Sequence, residues 1–356
     1  MLNFALVGCG KIAKRHSELL GKNMIKGAKL VSVCDIVEEN ALKIANKFSI
    51  PYFTDMDEMM NSSDVSIDVV VVLTASGNHA KDVSNLAKYG KHIIVEKPMS
   101  LTLEDADSMI KACDIAGIRL FVIKQNRFNV PIVKLREALD EGRFGKLVLG
   151  TVRVRWCRTQ EYYDQNPWRG TWEMDGGVLT NQASHHIDLL EWIFGDVESV
   201  SAMGSTALAS IEAEDTAVVN IKFKNGALGI IEATTAIRPT DLEGSISVFG
   251  EGGSVVIGGY AANEMKVWNF VDELPEDKHV LEKYSKNPPN DIGYAHQSYY
   301  EHVVDCINNN KQQLIDGLEG RKSLELINAI YESIETENRV NIRFTPKFCK
   351  LGQKIE

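Results

Sequence analysis

The sequence has no run of eighteen or more apolar residues, so no segment of it is predicted to span a membrane. Its amino-terminal segment, MLNFALVGCG, lacks the basic stretch and the small-residue cleavage site of a secretory signal. Repeats, low-complexity tracts and long charge blocks are absent as well. These absences predict a globular protein of the cytoplasm that does not associate with membranes.

Cysteine is sparse and forms no CxxC pair, so we expect reduced, mostly buried thiols, without a disulfide framework or a metal site. The six cysteines are Cys9, Cys34, Cys113, Cys157, Cys306 and Cys349. Positive charge is not in excess either. The net charge of −10 and the pI near 5.4 exclude general nucleic-acid binding, because that requires a basic face.

Short apolar runs alternate with helical patterns in the first third of the chain. The runs are NFALV, KLVSVCD, IDVVVVLT, KHIIVEK and IRLFVI. Strands buried on both faces have this composition, and their alternation with helices predicts a doubly wound parallel sheet, that is, a Rossmann domain. Because 356 residues are too many for one ordinary core, we predict this domain at residues 1–124 and a second α/β domain at 125–356.

A glycine-rich motif, GxGxxA, follows the first strand and opens a helix predicted from about Ile12 to Asn23. In this context the motif predicts a dinucleotide site, with the pyrophosphate over the backbone of the turn and the helix N-terminus. The residues predicted to hold it are Gly8, Gly10, Lys11 and Ile12. Asp35 ends the second strand, where a carboxylate accepts hydrogen bonds from ribose hydroxyls and repels a 2′-phosphate, so NAD is preferred to NADP.

The run KHIIVEK leads into Glu96-Lys97-Pro98 at the carboxyl end of a predicted parallel strand, where cofactor clefts lie. Lys97 can hold a substrate hydroxyl there and lower the pKa of that hydroxyl. Pro98 fixes the turn and permits a cis bond after Lys97. The tripeptide alone favours the simpler interpretation, a solvated lysine at a strand end.

The stretch DGGVLTNQASHHIDLLEW, residues 175–192, predicts an amphipathic helix with two adjacent histidines. Its polar stripe comprises Asn181, His185, Asp188 and Trp192, opposite an apolar face of Ala183, Ile187, Leu190 and Phe194. His186 lies at the edge of the apolar face, which predicts a packed, hydrogen-bonded structural residue. His185 lies among polar groups, so it is either a structural histidine or a general base. A zinc site of His79, His185 and His186 lacks suitable ligand spacing.

Four blocks, GCGKIA, VVLTASGNHA, VEKP and GGVLTNQASHHID, resemble the glucose–fructose oxidoreductase/inositol dehydrogenase family, and the resemblance covers essentially the whole chain. It implies a Rossmann domain followed by an α/β domain with a large, open, mostly antiparallel sheet. It also implies NAD(P)-dependent oxidation or reduction of a sugar or cyclitol carbon. Members are mostly homo-oligomers that often pack through that sheet, and a tetramer is the favoured state.

The resemblance also implies roles for individual residues. Lys97 and His185 match the catalytic lysine and histidine of the family. The residues implied around the cofactor are Thr74, His79, Glu96, Lys97 and Gln125, with Trp168 and Arg169 as further candidates. The sequence departs from the common pattern in two places. Ala75-Ser76-Gly77 stands where a proline often follows the threonine, and Asn181 stands where many members have aspartate, which makes Asn181 a positioning or substrate-binding group.

The segment 153–177 combines arginines with aromatic residues in an otherwise acidic chain. In the predicted strand Arg153 and Arg155 share one face and Val154 and Trp156 the other. Arginine binds carboxylates and phosphates bidentately, which predicts a polyanionic substrate. The alternative is that the arginines, Arg153 in particular, pair with surplus acidic residues. The substrate-binding candidates are Lys97, Arg155, Arg158, Gln160, Asn181 and His185.

The stretches QNRFNVP, RVRWCRTQEYY and NPWRGTWEMDGG further resemble the UDP-N-acetylglucosaminuronate 3-dehydrogenases of this family. These oxidise C3′ of UDP-2-acetamido-2-deoxyglucuronate for the synthesis of a diacetamido uronate of surface glycans. Two alternatives remain open: a dehydrogenase of another sugar or cyclitol, such as inositol or a free hexose, and a non-catalytic NAD(H) sensor. It is also open whether NADH leaves or is reoxidised in place by a keto acid such as 2-oxoglutarate.

The rest of the chain is predicted to be scaffold. Short alternating runs between residues 197 and 270 predict strands of the large sheet. Two amphipathic helices are predicted at Gly293–Asn309 and Leu318–Thr336.

Overall fold

The computed structural model describes residues 1–285, 294–342 and 351–352, and the chain divides into two compact units. The first unit comprises Met1–Ile123 and Ile292–Arg321, and the second comprises Lys124–Asp291 and Lys322–Glu356. Each unit is thus assembled from two separate stretches of chain. The division after residue 124 inferred from the sequence stays a prediction about independently folding domains.

The strands of the described residues form two sheets. In chain order they are β1 (Leu2–Val7), β2 (Ala28–Cys34), β3 (Tyr52–Phe53), β4 (Val69–Val72), β5 (His92–Val95), β6 (Leu120–Val122), β7 (Leu147–Arg155), β8 (Val197–Ser205), β9 (Thr216–Phe223), β10 (Leu228–Thr234), β11 (Glu243–Gly250), β12 (Gly253–Gly258), β13 (Glu264–Phe270) and β14 (Val340–Asn341). The first six belong to the first unit and the others to the second.

The helices of the described residues cover these sheets. They are α1 (Ala13–Gly21), α2 (Glu38–Phe48), α3 (Met56–Asn61), α4 (His79–Ala87), α5 (Leu103–Ile115), α6 (Val130–Asp140), α7 (Gln160–Asp164), α8 (Ser184–Phe194), α9 (Val280–Tyr284), α10 (Tyr294–Asn308) and α11 (Gly317–Thr336). Three short 3₁₀ segments are also described, at Ser76–Asn78, Gln125–Phe128 and Pro275–His279.

The first unit contains a parallel six-stranded sheet in the order β3-β2-β1-β4-β5-β6. Its central strand β4 is four valines, each fully buried, which is why this strand is a continuous apolar run. The strand order reverses between β1 and β4. Ligands of doubly wound sheets bind at the carboxyl ends of the strands at such a reversal, and the predicted Rossmann architecture is confirmed.

The second unit contains an eight-stranded sheet in the order β13-β12-β11-β7-β10-β9-β8-β14. Neighbours are antiparallel except β7 and β10, so the predicted large, mostly antiparallel sheet is confirmed. Buried and more exposed residues alternate along β9, as expected of a sheet with one covered face. Helix α8 packs on the covered face beside β7, where Gly150 allows the close approach. A Cβ on Gly150 would lie 2.3 Å from the ring of Phe194 and 2.7 Å from Leu190.

Helix α8 begins later than the sequence suggested. A helix was predicted across 175–192, but residues 178–182 form a turn and the helix runs from Ser184 to Phe194. Gly176 has a φ of +81°, and the N–H of Ala183 donates to Val178 O at 2.8 Å, which is five residues back and out of α-helical register. Asn181 therefore precedes the helix, so its predicted place on the helical stripe with His185 is wrong.

The other three predicted helices are observed, with small differences in their bounds. The predicted helix at Ile12–Asn23 is observed as α1, shorter at both ends. The helix predicted from Gly293 is observed as α10 from Tyr294, and Gly293 itself lies outside the described residues. The helix predicted at Leu318–Thr336 is α11, which starts one residue earlier at Gly317.

The cysteines in the described part of the chain are free thiols, as predicted, and four of the five are buried. Burial raises the pKa of Cys9 to about 12, so this thiol of the glycine turn stays protonated. Cys349 lies outside the described residues. Across residues 1–285, 294–342 and 351–352, no helix is long and apolar enough to cross a membrane.

We expect the substitution Gly150→Val to destabilise the second unit by about 1–3 kcal/mol, because the new side chain would overlap Phe194 and Leu190. A fall of several degrees in the midpoint of thermal unfolding would show this. Thr151→Val adds no bulk on the covered face and serves as the control. Equal midpoints for the two variants would contradict the close packing of α8 on β7.

Candidate functional site

The turn after β1 has the shape that a dinucleotide requires. Gly8 has a φ of +94°, and a Cβ there would lie 2.7 Å from the carbonyl carbon of Leu73, so only glycine fits. A Cβ on Gly10 would meet nothing within 4 Å, which leaves this backbone open to a ligand. Helix α1 starts at Ala13 without a side-chain cap, so its first N–H groups suit a pyrophosphate, and Lys11 and Ile12 lie between the glycines and this helix.

Asp35 lies beside this turn, at the end of β2. Its Oδ2 accepts the N–H of Cys9 at 2.6 Å, and its Oδ1 accepts the N–H of Val37 at 2.8 Å. These bonds fix the carboxylate next to the glycine motif, which is where the sequence predicted an acidic group for the ribose.

His79 joins two segments that follow neighbouring strands of the first unit. Its Nδ1 lies 2.8 Å from the carbonyl oxygen of Pro98, and its Nε2 lies 3.0 Å from the carbonyl oxygen of Thr74. Burial lowers the pKa of His79 despite these bonds, so the neutral ring donates to one of the two carbonyls. Thr74 is held in turn, because its hydroxyl donates to Asp82 at 2.6 Å. His79 and Thr74 thus shape the loop in which the family resemblance implied cofactor contacts.

Lys97 follows β5 and is half-buried, and its bond to Pro98 is cis, as the sequence permitted. The preceding Glu96 is buried and fully engaged. One carboxylate oxygen accepts from His16 Nε2 at 3.0 Å, and the other accepts the N–H of Lys97 at 2.8 Å. Burial opposes ionisation of Glu96, but His16 and the nearby His296 outweigh it and hold the pKa of Glu96 well below its usual range. An anion is therefore fixed directly beside Lys97.

Within the described residues, His16, Glu96 and His296 bring possible ligand atoms within 4.8 Å of one another. The His16–Glu96 contact of 3.0 Å is a hydrogen bond. Zinc ligands at ordinary bond lengths would stand about 3.3 Å apart or more. Tyr300 makes a further hydrogen bond to His16 Nδ1 at 2.7 Å, so the group is arranged as a buried hydrogen-bonded network.

His185 lies in the first turn of α8 and is buried. Its Nε2 is 3.0 Å from the side-chain Nε2 of Gln125, which belongs to the 3₁₀ segment after β6. Gln125 was implied as a cofactor residue, and the structure places its amide against the predicted base.

A buried ion pair lies one turn beyond His185. Asp188 accepts from Arg127 through both carboxylate oxygens, each at 2.8 Å, and Lys124 Nζ lies 3.4 Å from the same group. Burial opposes ionisation of Asp188, but these cations lower its pKa below the usual value. Sequence reasoning missed Lys124 and Arg127. The available signal was the pair of basic residues directly after an apolar strand.

His186 is a packed structural residue, as predicted. It is fully buried, and its ring meets Trp156 edge to face at a centroid distance of 5.9 Å. Burial lowers its pKa to about 4, so the ring is neutral at physiological pH. The predicted hydrogen bonding is not observed: neither ring nitrogen has a partner of normal geometry in the described residues, although the backbone of Gly244 lies close by.

Asn181 makes a short hydrogen bond from its amide nitrogen to Asp175 Oδ1 at 2.5 Å. Asp175 is buried, and its other oxygen accepts the N–H of Gly170 at 2.9 Å. Asn181 is thereby linked to the loop that carries Trp168 and Arg169.

The arginines of β7 lie among acidic neighbours. Arg153 and Arg155 share one face, as predicted, and Arg155 donates to Glu232 at 2.6 and 2.8 Å and to Glu243 at 3.2 Å. Arg153 lies 3.8 Å from Glu232 and 3.7 Å from Glu243. This matches the alternative of pairing with acidic residues, so the charge of Arg155 is already balanced and its predicted substrate role has no further support here.

Arg158 has a different environment from the arginines of β7. Its guanidinium lies over the rings of Trp156 and Tyr162, at 5.3 and 5.4 Å from their centroids, and it donates to Asp241 at 2.9 Å. An aromatic cradle with a single acidic contact suits a site for a second anion.

Gln160 and Arg169 line a cavity of about 420 Å³ in the second unit. The amide of Gln160 is engaged with the N–H of Ser210 at 2.7 Å and with Asp164 at 2.9 Å. Arg169 stacks on Tyr162, 4.2 Å from its ring centroid and 5.2 Å from that of Trp168, and its Nε is buried without a hydrogen-bond partner among the described residues. Of the predicted residues here, Arg169 is therefore better placed than Gln160 to donate a hydrogen bond to an oxygen atom of a ligand.

These features define a class of protein: an oxidoreductase with an NAD-binding Rossmann unit and a second α/β unit. Residues 2–124 match the description "Oxidoreductase family, NAD-binding Rossmann fold", and residues 136–342 match "Oxidoreductase family, C-terminal alpha/beta domain". The chain belongs to this family, the Gfo/Idh/MocA oxidoreductases, and is an NAD-dependent sugar dehydrogenase.

Solved structures and curated relatives support this assignment. The WlbA dehydrogenase of Bordetella pertussis, solved with NADH and UDP-GlcNAcA, is 40% identical with a TM-score of 0.91, over 96% of this chain and 98% of that one. The Chromobacterium violaceum WlbA dehydrogenase, solved with the same two ligands, is also 40% identical with a TM-score of 0.89, over 96% of each chain. Myo-inositol 2-dehydrogenase of Thermotoga maritima is 28% identical over 96% of this chain and 98% of its own length.

We expect Asn181→Asp to destabilise the protein by about 1–3 kcal/mol at neutral pH, because it would place a second carboxylate against Asp175. Repulsion raises the pKa of one carboxyl in the folded state above its unfolded value. The loss therefore grows as the pH rises above about 4 and disappears below it. Urea unfolding between pH 4 and 8 measures this.

The exchanged pair Asp175→Asn with Asn181→Asp is the control, since it restores one amide donor opposite one carboxylate. It should recover most of the lost stability at pH 7. If the single variant is as stable as the parent at all pH values, the short Asn181–Asp175 bond has no energetic role.

Proposed function

We propose that this protein oxidises the C3′ hydroxyl of UDP-2-acetamido-2-deoxy-D-glucuronate to the 3-keto sugar, with NAD as the oxidant. The observation that carries the proposal is the 40% identity, over nearly the whole chain, to two dehydrogenases solved with NADH and UDP-GlcNAcA. The product would be a precursor for the synthesis of a diacetamido uronate of surface glycans.

The chemistry of the second unit supports an anionic sugar nucleotide. That substrate carries a diphosphate and a carboxylate, and Arg158 and Arg169 present guanidinium groups stacked on aromatic rings. A neutral sugar or cyclitol does not require such cations. Asn181, tied to the Arg169 loop through Asp175, would contact or position the sugar.

In the proposed reaction His185 removes the proton of the 3′-hydroxyl, and Lys97 stabilises the developing alkoxide. NAD, when bound, supplies the hydride acceptor. Glu96 fixes the backbone of Lys97 by accepting its N–H, which holds the start of the side chain in place. Gly8, Gly10, Lys11 and Ile12 would hold the pyrophosphate, and Asp35 the adenosine ribose.

The competing proposal within the family is oxidation of a cyclitol or another sugar. The 28% identity to a myo-inositol 2-dehydrogenase favours it, and other relatives act on apiose. A non-catalytic NAD(H) sensor would bind the dinucleotide and leave it unreduced.

The test uses protein whose bound cofactor is oxidised, with NAD added. UDP-N-acetylglucosaminuronate, myo-inositol or glucose is then added to separate samples. We expect NADH absorbance to appear with the sugar nucleotide alone, within the first turnover. Formation of NADH with inositol or glucose instead would support the competing proposal, and no NADH in any mixture would support the sensor. Adding 2-oxoglutarate distinguishes release of NADH from reoxidation in place, since reoxidation would turn a single turnover into many.

We expect Lys97→Met and His185→Asn each to lower kcat by about 10²–10⁴-fold, because each removes a group that handles the hydroxyl proton or its charge. The dissociation constant of NAD should change little. Lys88→Met and His279→Asn are matched controls with exposed side chains and should retain full turnover. A near-native kcat in either site variant would disprove the corresponding assignment.

A homo-tetramer that packs through the large sheet is part of the proposal. The sheet carries exposed apolar side chains on adjacent strands, namely Met203, Val218, Leu228 and Ile230. Light scattering on the purified protein would measure the assembly's mass.

A further inference from the structure

We propose that Gln125 is a positioning residue for His185, and that the buried pair of Arg127 and Asp188 anchors it there. This inference rests on the proposed function only for the role of His185 as the base. The family resemblance implied a different task for Gln125, contact with the cofactor, so the two roles make different predictions.

The side-chain amide of Gln125 is in hydrogen-bond contact with the imidazole of His185. The amide nitrogen lies 3.0 Å from His185 Nε2, and a rotation of about 180° exchanges the amide nitrogen and oxygen at that position. With its oxygen toward the ring, Gln125 accepts a hydrogen bond from Nε2–H, so the neutral ring carries its proton on Nε2 and Nδ1 is the atom that takes up the hydroxyl proton. The contact then selects one tautomer and one ring orientation, which are the two properties that a general base must have settled before it reacts.

An amide suits this task because it serves both protonation states of the ring. Its oxygen accepts from Nε2–H in the neutral ring and in the charged ring alike, so the bond persists while Nδ1 gains the proton. The oxygen, Gln125 Oε1, is buried and has no hydrogen-bond partner among the described residues. Buried acceptors are rarely left without a donor, and the rotated amide pairs this oxygen with the Nε2–H of His185.

The turn that carries Gln125 is fixed from both sides. Lys124 and Arg127 bracket it in the chain, and both reach Asp188 on α8, Lys124 at 3.4 Å and Arg127 through two bonds of 2.8 Å. Arg127 and Asp188 are 3% and 2% exposed, so solvent does not compete for these bonds. His185 lies one turn before Asp188 on the same helix, so Gln125 and His185 are held in one assembly.

Lys124 extends this assembly to α11 by a contact with Ser323. Titratable groups of the described residues that interact with this cluster include Glu191 and Lys322. Burial, together with Asp188, raises the pKa of Glu191 to about 8, so Asp188 is the anion that pairs with both Arg127 and Lys124.

The test uses Gln125→Glu and Gln125→Leu in the full chain. A carboxylate at 3 Å favours the imidazolium, so Gln125→Glu should raise the pKa of His185 by about one unit or more. The acidic limb of the pH–kcat profile then moves to higher pH by the same amount, and turnover recovers above it. Gln125→Leu should lower kcat by about tenfold or more while the dissociation constant of NAD stays within about twofold. Gln312→Leu, an exposed glutamine replaced in the same way, is the control and should change neither quantity.

A second measurement needs no substrate, so it stands even if the sugar nucleotide is not oxidised. Nuclear magnetic resonance of ¹³C-histidine protein gives the pKa of His185 directly, with the signal assigned by its loss in His185→Gln. We expect the pKa to rise in Gln125→Glu relative to the parent. If Gln125→Leu does not fold, Gln125→Asn, which is too short to reach the ring, replaces it.

Two results would overturn the proposal. One is an unchanged pKa of His185 and an unshifted pH profile in Gln125→Glu. The other is a tenfold weaker binding of NAD by Gln125→Leu with kcat intact, which would assign Gln125 to the cofactor instead.

Discussion

The polar interior of the second unit depends on one interaction, the contact of the buried Asp188 carboxylate with Arg127 and Lys124. Removing an anion from water costs several kcal/mol unless cations and hydrogen bonds replace the water. Arg127 and Lys124 supply both, and in doing so they tie the segment after β6 to α8. If the cations were absent, Asp188 would have to protonate or the helix would have to move. The position of His185 follows from this pair because His185 is on the same helix.

Packing from the opposite side completes the constraint on α8. Gly150 lets Phe194 and Leu190 approach β7, so the apolar face of the helix is pressed on the sheet while Asp188 is held from the other direction. A helix fixed on both faces keeps its side chains in one orientation, which the proposed role of His185 as a base requires. From the 3.6-residue period, the sequence predicted the apolar side of this helix and the place of His185 and Asp188 on the other side, but it wrongly included Asn181. It did not predict that the segment before Ser184 is not helical. There the N–H groups of Val178 and Leu179 donate to Glu214, a residue distant in the sequence, at 2.9 Å each.

Local pattern was sufficient for most of the first unit. The valine run of β4 could be predicted locally, because a strand buried on both faces must be apolar. The glycine turn could be predicted in the same way, because a positive φ at Gly8 disfavours any side chain. The roles of the arginines could not be obtained in this way. Arg155 contacts Glu243 on the neighbouring strand β11 and Glu232 on the neighbouring strand β10. Neither partner can be identified before the strand order is known. Arg158, three residues later, lies beyond the strand among aromatic rings. Similar residues in one segment therefore have different environments for reasons of sheet topology.

The departure at residue 181 illustrates the same limit within a recognised family. Many members have aspartate four residues before the catalytic histidine, and an amide there could be taken for the loss of a useful charge. In this chain a carboxyl group is present at Asp175, which lies within hydrogen-bond distance of Asn181 and is itself fixed by the N–H of Gly170. Two carboxylates at that distance would repel, so an amide at 181 is the choice that a carboxylate at 175 requires. The identity of Asn181 is thus explained by its hydrogen bond to Asp175. Comparing position 181 alone with the family pattern would have missed this dependence on position 175.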